Sequence, residues 1–417
     1  MNGAEALIRT AVASGVDVCF ANPGTTEMHL VAALDAAPGM RSVLGLFEGV
    51  VTGAADGYAR MSGKPAMTIT HLGPGFANGI ANLHNARRAN SPVVNVIGDQ
   101  ATWHLAADAP LTSDIESLAK PVSAWVRKVK TAAEVGPGIA EAIAASQRAP
   151  GGVATLIVPA DCAWGEAPGP AKPIGAEKHA AVRGESIERV ARALRAGEPA
   201  LLLLGGTALS RRGLLAAARV AAKSGARCLM ITFPARAERG AGLPAFQKLP
   251  YFPEQAIESL APVRQLVLVG AIEPVAFFGY PNVPSRLTPA GCSISVLATP
   301  EQDAAGALEA LADALGAAPN GELAARAELA PATGKLTPET LGRAVAALQP
   351  ENAIVVDEAA TSGAPWFTFS SGAPPHSYIG LTGGAIGQGL PNAVGAAIAC
   401  PDRRVISLQA DGSGMYT

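Results

Sequence analysis

Cysteine is scarce in this chain, with five residues in 417 and no C-x-x-C pair among Cys19, Cys162, Cys228, Cys292 and Cys400. Cys19, Cys228 and Cys292 fall in or beside apolar runs, so they read as small buried hydrophobes of a reducing compartment. Charge is thin as well. Asp, Glu, Lys and Arg make up 16% of the chain and the formal net charge is −2, which gives no electrostatic basis for nucleic acid or a membrane surface. The short basic clusters Arg87-Arg88, Arg127-Lys128 with Lys130, and Arg211-Arg212 read as solvated faces. No basic stretch followed by an apolar one opens the chain, and Gly, Pro or charge interrupts every long apolar run. The expectation is a cytoplasmic protein without signal peptide or membrane span.

Missing motifs narrow the function further. There is no G-x-x-x-x-G-K-S/T loop and no G-x-S-x-G elbow, which argues against P-loop NTPases and α/β-hydrolases. The "LGGTALS" turn falls short of the dinucleotide fingerprint G-x-G-x-x-G. His29, His84, His104, His179 and His376 show no metal-ligand spacing, so zinc is not expected.

What is present is an alternation of helix and strand patterns rich in small aliphatics. Asn2 and Glu5 form a capping-box pattern ahead of a helix whose apolar face carries Ala4, Leu7, Ile8, Ala11 and Val12. Strands follow at "VDVCFA", "SVLGLF", "PAMTITH", "PVVNVIG" and "GVATLIVPA". After the Pro- and Gly-rich "GEAPGPAKPIGAEK" a second block brings "ALLLLG", "RCLMIT", "QLVLVG" and "SISVLA". A second soft boundary, "GAAPNGELAARAELAPATGK", precedes Thr337-Pro338-Glu339, which starts a helix over 338–348 and leads to the strand "AIVVDE". The reading is an α/β protein of three doubly wound parallel-sheet domains, at 1–165, 184–318 and 335–417, the third truncated.

Ligands of such sheets bind beyond the carboxyl ends of strands. "FANPGTTE" offers Thr25 and Thr26 there, "THLGPGFAN" places His71 at a strand end, and "GLFEGVVTGAADGYAR" puts Glu48 where strand passes into helix. The flanks of Glu48 are small and apolar, so its carboxylate is expected to be buried, which is costly unless something binds it. A desolvated glutamate is suited to handling protons. In "LTGGAIGQGLPNAVGAAIACPDRRVISLQADGSGMYT", glycine turns expose N–H groups suited to phosphate, and Asp411 fits a hard divalent cation that bridges phosphates.

Together "NPGTTE", "FEGVVTGAADGYAR", "GPGFANGIANLHNARRANSPVV" and "GGAIGQGLPNAVGAA…ADGS" make the whole chain resemble the thiamine diphosphate-dependent 2-oxo acid decarboxylase and acetolactate synthase superfamily. The resemblance implies an order of pyrimidine-binding, central and diphosphate-binding domains. It implies that Glu48 hydrogen-bonds the cofactor's aminopyrimidine, favouring the imino tautomer that activates the thiazolium carbon. Ile386 would hold the cofactor bent, and Thr361, Ser362, Gly412 and Ser413 would lie against its diphosphate. Asp411 would be the first Mg2+ ligand. The family's second side-chain ligand, an asparagine, falls beyond Thr417, so these 417 residues are expected to be part of a longer enzyme and, alone, to bind the cofactor poorly. Ala410 stands where the family usually has glycine.

Thr25 and His71 match substrate-contacting positions of benzoylformate decarboxylase, although Phe278 stands near the place of that enzyme's second active-site histidine. The resemblance therefore implies a lyase or carboligase acting on a 2-oxo acid. Its alternatives are an acetolactate synthase large subunit-type transferase and a catalytically silent diphosphate-binding relative. An unrelated nucleotide-binding oxidoreductase is a further rival that lacks its fingerprint here. FAD is left open by the central block. A homodimer or homotetramer is implied, with the cofactor between the first domain of one subunit and the last domain of the other.

Overall fold

The structure is a computed structural model that describes residues 1–177, 179–330 and 332–417. Lys178, the last residue of the first expected linker, and Pro331, within the second soft boundary, lie outside the described residues. The chain divides into two compact units, Met1–Lys178 with Val356–Glu358 and Leu381–Thr417, and His179–Val355 with Ala359–Gly380. No helix among the described residues is long and apolar enough to cross a membrane.

The first unit holds a six-stranded sheet of β1 (Val18–Asn22), β2 (Arg41–Leu44), β3 (Ala66–Thr70), β4 (Val93–Asp99), β5 (Trp125–Lys128) and β6 (Val153–Pro159). Its order is β2-β1-β3-β4-β6-β5 and every pairing is parallel. Both faces are covered. Leu7, Ile8 and Ile139 pack with Met67, Ile69 and Val96 in one core, while Val51, Phe76 and Leu83 pack with Phe20, Ile97 and Ile157 in the other. This is why β3, β4 and β6 read as continuous apolar runs rather than alternating ones. A ladder of buried polar groups crosses the second core: Thr68 donates to Asn95 at 2.8 Å, and Asn95 donates to Thr155 at 3.2 Å.

β5 carries a basic cluster that the sequence presents as a solvated face. Its charges are instead paired: Arg127 reaches Glu141 at 2.7 Å and Glu134 at 3.3 Å, and Lys128 reaches Asp99 at 2.5 Å. Charged side chains on an edge strand also discourage pairing with foreign strands, so the strand carries no apolar signal.

The second unit contains β7 (Ala200–Leu204), β8 (Arg227–Met230), β9 (Ala237–Arg239), β10 (Gln247–Lys248), β11 (Gln265–Val269) and β12 (Ser293–Ala298). A parallel sheet of order β10-β8-β7-β11-β12 buries Leu201, Leu203, Leu266 and Leu268 against Ala256 and Leu260. β13 (Ala353–Glu358), β14 (His376–Gly380) and β15 (Val405–Gln409) follow. β9 leaves the central block to pair antiparallel with β14. Arg239 of β9 is buried, donating to Phe367 O, Ser370 Oγ and Phe246 O and lying 3.8 Å from the Phe367 ring centroid. Burial without a carboxylate partner pushes its guanidinium down to about 10. The molecule is thus an α/β protein with three parallel-dominated sheets.

The helix over Glu48–Ser62 and the helix over Gly389–Ala399 pack directly on each other in the first unit. A methyl group at Gly395 would stand 1.9 Å from Ala54 O, and one at Gly57 would stand 2.1 Å from Asn392 O. Only glycine permits backbones so close.

Candidate active site

Glu48 is the first residue of the Glu48–Ser62 helix, after Phe47 in extended conformation. It is 8% exposed. One carboxylate oxygen, Oε2, accepts from Asn78 Nδ2 at 3.0 Å. Among the described residues no hydrogen bond to Oε1 is found. That oxygen lies against Gly75, where a Cβ would come within 2.8 Å of it and within 3.2 Å of His71 Cβ. Gly75 therefore leaves the space in which Glu48 and His71 stand side by side.

His71 follows β3 and precedes the helix over Leu72–Ala89. Leu72 has φ +51°, a left-handed conformation that costs a branched residue roughly 1–2 kcal/mol. Thr25 and Thr26 lie in the 3-10 turn Thr25–Glu27, which directs them differently. Thr25 is exposed, with no side-chain hydrogen bond among the described residues. Thr26 Oγ1 sits 3.3 Å from His71 Nδ1. Glu27, fully buried, places Oε2 2.7 Å from the same nitrogen. The structure therefore gathers Glu48 and His71, brings Thr26 of the offered Thr25–Thr26 pair to His71, and adds Asn78 and Glu27, which sequence reasoning missed. The "TTE" run following "NPG" was the available signal.

On the C-terminal side, Glu358 ends β13 and is buried. It accepts from the backbone N–H groups of Gly387 at 2.8 Å, Gln388 at 3.2 Å and Gly389 at 2.7 Å, and from Gln409 Nε2 at 2.9 Å. These glycine-turn donors look free for phosphate in the sequence, but they are occupied by this carboxylate. Ile386 is 42% exposed beside them. Asp411 opens the short helix Asp411–Gly414 and is exposed, as is Gly412. Ser413 is buried; its Oγ accepts from Gln409 Nε2 at 3.0 Å and donates to Ala410 O at 3.3 Å. Thr361 and Ser362 belong to the second unit, where Thr361 is exposed and Ser362 Oγ donates to Ala359 O at 3.0 Å.

A second polar cluster lies where the two long helices of the first unit meet. Asp56 accepts from Arg60 Nε at 2.8 Å, from Arg60 Nη2 at 2.6 Å, from Ser91 Oγ at 2.5 Å and from Asn392 Nδ2 at 3.4 Å. Arg60 continues to Thr382 Oγ1 at 3.0 Å. Asn85 Nδ2 donates to Ala385 O at 2.7 Å, and its Oδ1 accepts from Gly383 N at 3.1 Å. This network pins the glycine-rich loop to the helix that begins at Glu48.

Comparison with known proteins shows what the chain as a whole is similar to. The family model for the N-terminal TPP binding domain of thiamine pyrophosphate enzymes matches residues 1–118, and that for their C-terminal TPP binding domain matches residues 364–417. The chain is 54% identical over 417 residues to a Mycobacterium tuberculosis protein named "Putative acetolactate synthase large subunit IlvX", covering 100% of this chain and 80% of that one. It is 31% identical over 437 residues to benzoylformate decarboxylase of Pseudomonas aeruginosa, covering 96% and 79%. The solved thiamine diphosphate-dependent 4-hydroxybenzoylformate decarboxylase of Rhodococcus jostii RHA1 aligns at a TM-score of 0.85 with 27% identity, over 100% of this chain and 82% of that one.

Proposed function

This chain belongs to the thiamine pyrophosphate enzymes, and on that premise we propose that it takes a 2-oxo acid, releases CO2 and joins the remaining acyl fragment to a second carbonyl compound, as an acetolactate synthase-type transferase does. The observation that carries the catalytic part is Glu48, a buried carboxylate with one oxygen held by Asn78 and the other left without a partner beside Gly75. Among the described residues that oxygen has no partner, and it is not one of the atoms sealed from solvent, so a donor that arrives can meet it. The aminopyrimidine of thiamine diphosphate offers that donor, so the residues present fit the group.

When bound, thiamine diphosphate supplies a nucleophilic carbon and a sink for the electrons that CO2 leaves behind. The chain's own residues orient and protect. Glu48 would hold the aminopyrimidine and carry a proton at Oε1, with Asn78 fixing its second oxygen. His71 stands next to it with the space of Gly75 between them and would bind the substrate, with Thr25 of the Thr25–Glu27 turn contributing a hydroxyl. Ile386 would support the bent cofactor, and Thr361, Ser362, Gly412 and Ser413 would lie along its diphosphate. Asp411 offers an exposed carboxylate, while no group of three or more His, Cys, Asp or Glu stands ready for a metal among the described residues. That donor set suits Mg2+, which takes one or two carboxylates together with phosphate oxygens and water. A homodimer is part of this reading. It is supported by the exposed apolar residues Leu44 and Leu46 before Glu48, and Ile386, Leu390, Val394 and Met415 along the C-terminal part.

The extent of identity to the acetolactate synthase-named relative favours transfer over simple decarboxylation. The second reading, a decarboxylase that releases an aldehyde, is supported by His71 beside Glu48 and by the benzoylformate decarboxylase relatives. Incubation with thiamine diphosphate, Mg2+ and a panel of 2-oxo acids, including pyruvate and benzoylformate, separates them. A coupled 2-hydroxy-3-oxo acid with one CO2 per product is expected. Aldehyde alone moves the assignment to the decarboxylase, and no CO2 from any substrate makes the chain a silent relative. A monomeric mass by sedimentation in the presence of both cofactors would overturn the dimer.

A further inference from the structure

Glu27 has no surface, lies 44 positions before His71 in sequence, and is met by three groups. Gly24 N–H donates to its Oε2 at 2.8 Å, Thr26 Oγ1 donates to its Oε1 at 2.5 Å, and His71 Nδ1 lies 2.7 Å from Oε2. Its pocket is shaped closely around it, since a Cβ at Gly98 would stand 1.7 Å from Oε1. Capping the 3-10 turn accounts for the contact with Gly24. It does not account for a carboxylate lobe aimed at an imidazole.

With Glu27 ionised, the donor count fixes the state of that imidazole. An ionised carboxylate only accepts. The Thr26 hydroxyl has given its proton to Glu27 Oε1, so the face it turns to His71 Nδ1, at 3.3 Å, is a lone pair. Both neighbours of Nδ1 are acceptors, and Nδ1 must supply the hydrogen. In the neutral ring Nε2 is then bare.

We propose that Glu27 is a positioning residue for His71, holding the Nδ1–H tautomer so that Nε2 is the nitrogen that exchanges a proton with the substrate. The inference rests on the proposed function for what that proton does. Loss of CO2 from a 2-oxo carboxylate leaves an electron pair that takes up one proton overall, whether the product is an aldehyde or a coupled hydroxy acid. Nε2 takes up that proton from water, the hydroxide left behind being taken up by the released CO2 as bicarbonate, which gives an imidazolium whose charge faces Glu27 and which then delivers the proton to the substrate. The arrangement follows the general rule that the partner of one ring nitrogen decides the role of the other.

The test begins with the wild-type protein. Long-range 1H–15N spectra of histidine-labelled chain, with His71 assigned by its loss in His71→Asn, should show the neutral ring protonated on Nδ1 and bare on Nε2. A ring protonated on Nε2, or a mixture of the two tautomers, overturns the proposal without any variant having to fold. Glu27→Ala should then show mixed tautomers and a kcat lowered about 100-fold with KM within about threefold, in the range of a misdirected acid–base group. Glu27→Gln should recover kcat to within about tenfold, because Gly24 N–H forces the amide oxygen to face His71 and keeps the tautomer. Unchanged kcat in Glu27→Ala overturns the proposal. A wild type that turns over no 2-oxo acid yet shows the Nδ1–H ring removes the proposed function and leaves the Glu27–His71 pairing standing.

Discussion

Two carboxylates sit eight positions apart on one helix, and their surroundings differ sharply. Asp56 is fully buried and saturated, with Arg60 bidentate and Ser91 and Asn392 added. Glu48, at the head of the same helix, is nearly as buried, but only Asn78 bonds it among the described residues. Glu358 resembles Asp56, because three backbone N–H groups and Gln409 fill it. A buried charge is tolerated when neighbours pair it. The protein alone fills the acceptors of Asp56 and Glu358, whereas Glu48 keeps one oxygen without a partner among the described residues, as its proposed contact with the cofactor needs.

The contrast is broken most severely at Glu48. Glu48→Gln should lower turnover by at least about 1000-fold while thermal unfolding stays within about 2 °C of wild type. Steady-state rates together with a melting curve check both halves, and activity within about tenfold of wild type would remove its proton role. Asp56→Ala should do the reverse and destabilise the fold by about 3 kcal/mol or more in urea titrations, because it removes the buried carboxylate on which Arg60, Ser91 and Asn392 converge. A loss below about 1 kcal/mol would mean the network is not the anchor described here.

Gly75→Ala sharpens the comparison, since its methyl group would stand 2.8 Å from Glu48 Oε1. Displacement of that carboxylate should cost roughly 100-fold in kcat with little change in the unfolding midpoint. The smallest effect belongs to the exposed pair Asp17–Lys64 at 2.7 Å. Desolvation raises the Asp17 carboxyl, but hydrogen bonds from Lys64 and Tyr58 outweigh it and hold it below the usual value. Its folded pKa is thus depressed, so its contribution is present above the ordinary aspartate range and is lost as pH falls through the folded value. Lys64→Met should change stability at pH 7 by about 0.5 kcal/mol or less, and by less at pH 2. A larger loss in parallel denaturation curves at the two pH values would mark the pair as more than a surface contact.

Much of the fold was legible because its signals are local. The Asn2–Glu5 capping box is closed in both directions, and Thr337-Pro338 starts the helix Pro338–Leu348. The apolar runs became β1, β3, β4, β6, β7, β11 and β13 with ends near those expected. β5, β9 and β10 were not legible. They are short or charged, and partners elsewhere in the chain make them strands. Cys19 and Cys228 are buried as read, and burial pushes the Cys228 thiol up to about 12. Cys292 remains half-buried. In the site, the apolar flanks of Glu48 foretold its burial. The resemblance chose Thr25, whereas Thr26 is the hydroxyl that stands 3.3 Å from His71 Nδ1, because a 3-10 turn rotates successive side chains by about 120°.

The sequence by itself determined the family, the alternation of strands and helices and the identity of the chemical groups, because caps, apolar runs and motif spacing act over a few residues. Only the tertiary structure decided which of those groups meet. Glu27 reaches His71 across 44 positions and Asn392 reaches Asp56 across 336. Whether a carboxylate is saturated or left open depends on such long-range neighbours, and no local pattern encodes them.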